Sequence, residues 1–263
     1  MSVDKIKAYI YTIPKAGTYL MSEFLIQLGI MSTGWHIGQN RYLDTFSFDQ
    51  ETNKVTPTKT KRKRSYIESF QSIPYGFHAF GHFSPVYVPP AIFGRSFKFL
   101  CVKRRPKEVL LSEFIDFRFR RSDVKFVSKN TIKDNKKAFE FYITKHAHVI
   151  KSIFQNFIFL EECSRSHAYI SLVGKNNFYF LDFKEFINPE SGPKLAIELS
   201  DFFGIDASVD QTTAKWKNAL AADNKTKSLD VSIDIPREEF WTAKALDLYE
   251  QINFKKIEER LGY

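Results

Sequence analysis

Between residues 9 and 30 the chain lays down a strand, a tight loop and a helix in immediate succession. The apolar run Ala8–Ile13 has the length and composition of a buried strand. The loop Pro14-Lys15-Ala16-Gly17-Thr18 follows it. A helical pattern then begins, carried by Leu20, Phe24, Ile26 and Leu28, and Gly29 stops it. This order makes an anion site. The N–H groups that open a helix have no intrahelical partner, and the helix dipole favours negative charge beside them. Gly17 lets the backbone come close to a ligand. Lys15 adds a full positive charge, and the Thr18 hydroxyl adds a donor. The kinase-type loop Gly-x4-Gly-Lys-Ser/Thr is absent: no glycine precedes Pro14, and the lysine comes before Gly17.

The rest of the chain bounds what such a loop can serve. Its 263 residues suit one large α/β domain or two small ones, and 43% apolar residues supply a sizeable core. The 27 phenylalanines predict an aromatic core and pocket walls. Lys plus Arg outnumber Asp plus Glu by 39 to 30, a net charge of +9, which suits anionic ligands, nucleic acid or an acidic membrane surface. Cys101 and Cys163 have no metal-ligand spacing, and Cys101 lies in an apolar run, as a core thiol would. No apolar run approaches the roughly 18 residues of a membrane span. The N-terminus enters a strand without a signal-peptide core, so a soluble, cytoplasmic protein is expected.

Met31–Tyr75 is polar and poorly periodic. Its basic run, Lys59-Thr60-Lys61-Arg62-Lys63-Arg64, is either a nucleic-acid patch or, the favoured reading, a solvated loop leading into a helix near Ser65. Tyr75–Phe83 predicts a short strand, on which His78 and His82 share a face. Two histidines without a carboxylate make a poor zinc site, so satisfied or surface histidines are the plainer reading. Ser96–Val102 predicts a second buried strand. It runs through Lys103-Arg104-Arg105-Pro106-Lys107-Glu108 into a helix carrying Val109, Leu110, Phe114, Ile115 and Phe117. The opening design is thus repeated, with Arg104 at a strand end, where ligands gather in open α/β sheets. Further helices are expected over Phe139–Phe159 (interrupted near His146 and His148), Gly192–Phe203 and Trp241–Leu261. A third strand is expected over Asn177–Phe183.

Three of these features together carry a family resemblance. Pro14-Lys15-Ala16-Gly17-Thr18 resembles the 5′-phosphosulfate loop of sulfotransferases that use 3′-phosphoadenosine 5′-phosphosulfate (PAPS). Arg104-Arg105-Pro106-Lys107-Glu108-Val109-Leu110-Leu111-Ser112 resembles their 3′-phosphate segment, with Glu108 for the usual aspartate. Gly81-His82-Phe83-Ser84-Pro85 resembles the strand end that carries the family's histidine. Asn177–Phe183 with Lys184 is similar to the family's Tyr-Glu-Asp-x-Lys segment, Leu181 replacing the glutamate. Lys215-Trp216-Lys217-Asn218 is similar to the end of its C-terminal cofactor stretch, whose Arg-Lys-Gly part is missing. Leu20 stands where small-molecule members carry an adenine-stacking tryptophan, and Phe80 stands where a lysine is often found.

The resemblance implies an α/β fold with a central, mostly parallel sheet flanked by helices, the P-loop NTPase-like sulfotransferase fold, as one domain over 1–263. It implies a PAPS-dependent sulfotransferase acting on a hydroxyl or amine of a small-molecule acceptor. Secondary metabolism is the expected setting, with a polar alkaloid of the saxitoxin type among the candidates. His82 is then the general base, and Lys15 stabilises the leaving phosphate. Lys15, Ala16, Gly17, Thr18, Tyr19 and Leu20 hold the 5′ end, Arg104 and Ser112 the 3′-phosphate. Phe180 flanks adenine, and Lys215 is a further donor contact. No metal, membrane or nucleic-acid partner is implied. The alternatives are a P-loop-type nucleotide kinase and a nucleic-acid-binding module built on Lys59–Arg64.

Overall fold

The computed structural model describes residues 5–38, 41–44, 47–49, 54–56, 61–63, 65–94, 96–120, 124–174, 176–222 and 235–263. Strand β1, Lys7–Thr12, is buried from Ala8 onward. A strand covered on both faces needs such a continuous apolar run. Helix α1, Thr18–Gln27, follows and stops at Gly29, whose φ of +97° only glycine adopts cheaply. The segment read as poorly periodic holds real structure. It contains β2 (Met31–Gly38), β3 (Arg41–Asp44), β4 (Ser47–Asp49), β5 (Lys54–Thr56), β6 (Lys61–Lys63) and α2 (Tyr66–Gln71). Strands β3 to β6 are only three or four residues long, too short for an alternation to show, and β2 carries a register irregularity between Ser32 and His36. In the basic run, Lys61–Lys63 is strand rather than loop, while Lys59, Thr60 and Arg64 lie outside the described residues. Helix α2 starts where expected. Ser65 and Glu68 form a capping box, an arrangement whose cap is worth about 1 kcal/mol.

Next come β7 (Phe77–Gly81), β8 (Phe97–Lys103), α3 (Pro106–Ile115) and a π-helical segment, Asp116–Arg120. Helix α4, Asn135–Ser164, is continuous, correcting the expected interruption near His146 and His148. Its buried stripe, including Tyr142, Ile143, Ala147, Ile150 and Phe154, steps over those positions at helical spacing. The chain finishes with α5 (His167–Val173), β9 (Phe178–Asp182), α6 (Phe183–Ile187), α7 (Gly192–Phe202), α8 (Val209–Ala221), α9 (Ala243–Gln251) and α10 (Phe254–Leu261). The single C-terminal helix predicted over Trp241–Leu261 is therefore two. Asn253, at a left-handed φ of +63°, breaks it.

The main sheet has the order β6-β3-β2-β7-β1-β8-β9. The five strands from β2 to β9 are all parallel, and β3 and β6 extend the β2 side antiparallel. Strands β4 and β5 form a separate antiparallel pair. The mostly parallel α/β sheet flanked by helices is thus confirmed. β1 sits between β7 and β8, so successive crossovers depart to opposite sides of it. Such a switch point opens a crevice at the carboxyl ends of the strands.

The residues group into two compact units. The first comprises Met1–Thr12, Ala16–Lys103 and Phe159–Asn224 and holds both sheets; the second comprises Ile13–Lys15, Arg104–Ile158 and Lys225–Tyr263. The first unit's core is aromatic. Phe99 stacks on Phe178 at 4.6 Å and on Phe97 at 5.0 Å, with Phe93 edge-on. Helix α8 packs on α1 and α7, and the Trp216 indole donates to the Phe186 carbonyl. In the second unit Phe114, Phe139, Tyr142 and Phe240 pack together. Each fully buried ring is worth about 1.5–3 kcal/mol. Arg118 donates to the carbonyls of Val127, Ile132 and Lys133 and to the Asn135 side chain, tying down the approach to α4.

Candidate active site

In the first unit the candidate residues lie at the carboxyl ends of β1 and β7. The Thr12 hydroxyl is 2.6 Å from that of Thr18 and 3.2 Å from His82 Nδ1. Three side chains from the end of β1, the start of α1 and the end of β7 are thereby joined. Gly17 opens α1 at φ +81°, and no side chain caps the helix or places a carboxylate in its first turn. The N–H groups there suit an anion. A β-carbon on Gly17 would collide with the Phe183 ring. An L-residue would also carry about 1–2 kcal/mol of left-handed strain. Ala16 and Leu20 are buried, and Tyr19 is half-buried with its ring edge-on to Phe80 at 5.7 Å.

The two histidines of the β7 segment do different things, correcting the expectation that they share a strand face. β7 ends at Gly81, so His82 stands outside the alternation. His78 is fully buried. Its Nδ1 donates to the Ile30 carbonyl at 3.1 Å, and Nε2 lies 2.8 Å from the Ser22 hydroxyl. Burial pushes its pKa down to about 4, so the neutral ring is a core group. His82 is half-buried, and its Nδ1 is 2.9 Å from the Thr12 carbonyl oxygen. A carbonyl can only accept, so Nδ1 carries the hydrogen and, in the neutral ring, Nε2 carries the lone pair. His36 lies edge-on to His82 at 5.0 Å. Burial, and then the nearby His82, push its pKa down to about 3.

In the second unit the cations are held by carboxylates. Arg104 donates through Nε to Glu108 at 2.9 Å and through Nη1 to the Lys15 carbonyl at 2.9 Å. Lys15 has a φ of +62°, uncommon for a residue with a side chain, and its Nζ is 3.4 Å from Asp116 Oδ1. The two donor segments read separately in the sequence, at Lys15 and Arg104, are thus in direct contact. Pro106 at the first helical position pre-sets the start of α3. The neighbouring Arg105 pairs with Glu258 of α10 at 2.9 Å. Ser112 is buried on α3.

The remaining predicted residues are dispersed. Phe180 is half-buried on β9, opposite Cys101 in the register, and Lys215 is a half-buried residue in the middle of α8. The sequence reading missed Thr12, His36, Asp116 and Phe183. Thr12 and Phe183 lie at strand ends and could have been sought there. His36 and Asp116 carry no local signal, because only the fold brings them to His82 and Lys15. Among the described residues, no three His, Cys, Asp or Glu side chains gather as a metal cluster would, and no helix is long and apolar enough to cross a membrane.

A parallel sheet with a lysine-bearing loop after its central strand, and a second basic segment after the neighbouring strand, is the P-loop-like α/β fold. The chain belongs to the sulfotransferase family: the Sulfotransferase domain matches residues 5–256. The expected activity, a PAPS-dependent sulfotransferase, stands with it. No curated protein matches the sequence. Among solved structures, mouse sulfotransferase SULT7A1 complexed with PAP has a TM-score of 0.57 at 11% identity, over 97% of this chain and 89% of the mouse chain. Retinol dehydratase in complex with androsterone and the inactive cofactor PAP has a TM-score of 0.56 at 14% identity, over 99% and 82% of the two chains. At such identities the likeness is one of fold.

Proposed function

We propose that the enzyme transfers a sulfuryl group from PAPS to a hydroxyl or amine of a small molecule, with His82 as general base and Lys15 stabilising the leaving phosphate. The observation that carries the reading is the tautomer of His82. Its Nδ1 is committed to the Thr12 carbonyl, which leaves Nε2 as the proton acceptor. Nε2 takes the acceptor's proton while the acceptor oxygen or nitrogen forms its bond to sulfur. The bond from sulfur to the bridging oxygen breaks in line, and PAP, 3′-phosphoadenosine 5′-phosphate, departs. Lys15 meets the charge that develops on that oxygen, as preorganised cations do in group transfer. The N–H groups from Ala16 to Leu20 and the left-handed Gly17 suit the 5′ end. Arg104 suits the 3′-phosphate, because its planar fork can bind two oxygens at once. Ser112 is assigned beside it, Phe180 to the adenine face and Lys215 to a further donor contact, on the family resemblance.

Small-molecule acceptors are supported by retinol dehydratase, crystallised with androsterone. The secondary-metabolite setting, a polar alkaloid acceptor and a cytoplasmic location are carried forward from the sequence. The family match reaches across both units, which supports reading 1–263 as one domain. The test is calorimetric titration with PAP and with its analogue lacking the 3′-phosphate. Binding that depends on the 3′-phosphate is the expected result. Equal binding of both would overturn the Arg104 assignment, and binding of neither would overturn the donor.

A further inference from the structure

We propose that Asp116 is the counter-ion of Lys15 in the donor-free enzyme, and that donor and product compete with it for the lysine ammonium. The inference rests on reading Lys15 as the lysine of the 5′-phosphosulfate loop. Asp116 is outside every motif that carries the family resemblance. It begins the π-helical segment Asp116–Arg120, directly after α3. A π turn adds a residue to each turn and so re-aims the side chains that follow; such turns recur at functional sites.

The two ends of Lys15 are held differently. Its backbone is fixed: the carbonyl accepts from Arg104 Nη1 at 2.9 Å, and the residue sits at φ +62°. Its ammonium is on a flexible four-carbon stem and meets Asp116 Oδ1 at 3.4 Å. That distance is within an ion pair but longer than the roughly 2.7–2.9 Å of a charge-assisted hydrogen bond. An attachment of this kind exchanges readily. Both side chains are largely shielded, 14% and 20% exposed, so the pair is felt more strongly than one on the open surface.

A carboxylate that holds the phosphate lysine competes with an anionic nucleotide for its ammonium. Its use is on the donor-free and product sides of the cycle. It balances Lys15 next to Arg104 when no phosphate is present, and it favours return of the ammonium when PAP leaves. Product release limits turnover in many enzymes. Asp116 therefore acts through Lys15 as a positioning residue and touches no reacting atom. Arg104 has its own carboxylate, Glu108, at 2.9 Å. The two cations thus have separate counter-ions eight positions apart along the same stretch of chain.

The experiment measures PAP affinity by calorimetry for the wild type, Asp116→Asn, Lys15→Ala and the double variant, with folding checked by thermal melting. Lys15→Ala should weaken PAP binding. Asp116→Asn should tighten it roughly tenfold, a change of about 1.4 kcal/mol, and should do nothing once Lys15 is gone. Asp116→Glu should bind as the wild type does. Affinity in Asp116→Asn equal to or weaker than wild type, with Lys15→Ala impaired, would overturn the counter-ion role and leave the functional reading intact. Tightening that persists without Lys15 would mean direct repulsion of the nucleotide and would also overturn it. If Lys15→Ala binds PAP normally, the assignment of Lys15 fails and this inference falls with it. Should Asp116→Asn not fold, Asp116→Ser makes the same measurement.

Discussion

The two units hold their functional groups by different means. In the first, His82 is oriented by neutral partners, the carbonyl and hydroxyl of Thr12, and Thr12 is in turn joined to Thr18. In the second, Lys15 and Arg104 are each paired with a carboxylate, Asp116 or Glu108. The difference follows from the work proposed for each. A base needs one fixed tautomer and an unsuppressed lone pair. A carboxylate beside it would stabilise the charged ring and hold the proton. A phosphate-binding cation needs a full charge that can change partners, and an internal carboxylate supplies a replaceable one. Neutral hydrogen bonds thus orient the proposed proton acceptor, and ion pairs hold the proposed phosphate-binding cations.

The sharpest way to break this comparison is His82→Ala. Turnover should fall about 10²–10⁴-fold, while PAP binds as tightly as before by calorimetry. A parallel loss of PAP affinity would mean that the histidine belongs to the donor site. Arg104→Ala should show the opposite pattern. PAP affinity should fall about tenfold to a hundredfold, from charge-assisted hydrogen bonds worth about 1.5–3 kcal/mol. The turnover number at saturating donor should change much less. A variant that loses turnover alone would assign Arg104 to the chemical step.

The smallest expected effect separates His82 from two other histidines of the first unit. His36 and His78 have pKa values lowered to about 3 and about 4, from an ordinary 6.5. The folded chain therefore resists protons that the unfolded chain takes up. Their contribution to stability is complete above pH 6.5 and is lost as the pH falls from 6.5 towards 4 and 3. The melting temperature should drop across that window. His78→Asn should flatten its upper part, because the residue it removes contributes there. A melting curve unchanged by His78→Asn between pH 6.5 and 4 would break the division between a core histidine and an active one.

Several elements were legible in the sequence. β1, the Lys15–Thr18 loop, α1, β8 and the start of α3 are all local patterns of apolar period, glycine and proline. The strands of 31–63 were not legible, because four of them run for only three or four residues and β2 is irregular between Ser32 and His36. The unbroken α4 was hidden because His146, half-buried against Glu113, and the exposed His148 looked like a break. The C-terminal helix was read through Asn253, a residue whose left-handed backbone has no reliable signature. Of the candidate site, the sequence determined which residues could bind phosphate or accept a proton, because those capacities belong to side chains and short loops. Only the tertiary structure decided which nitrogen of His82 carries the hydrogen, that His78 belongs to the core, and that Asp116 faces Lys15. Those facts depend on groups 70, 48 and 101 positions apart in the chain, and no local pattern of apolar or polar residues encodes such a contact.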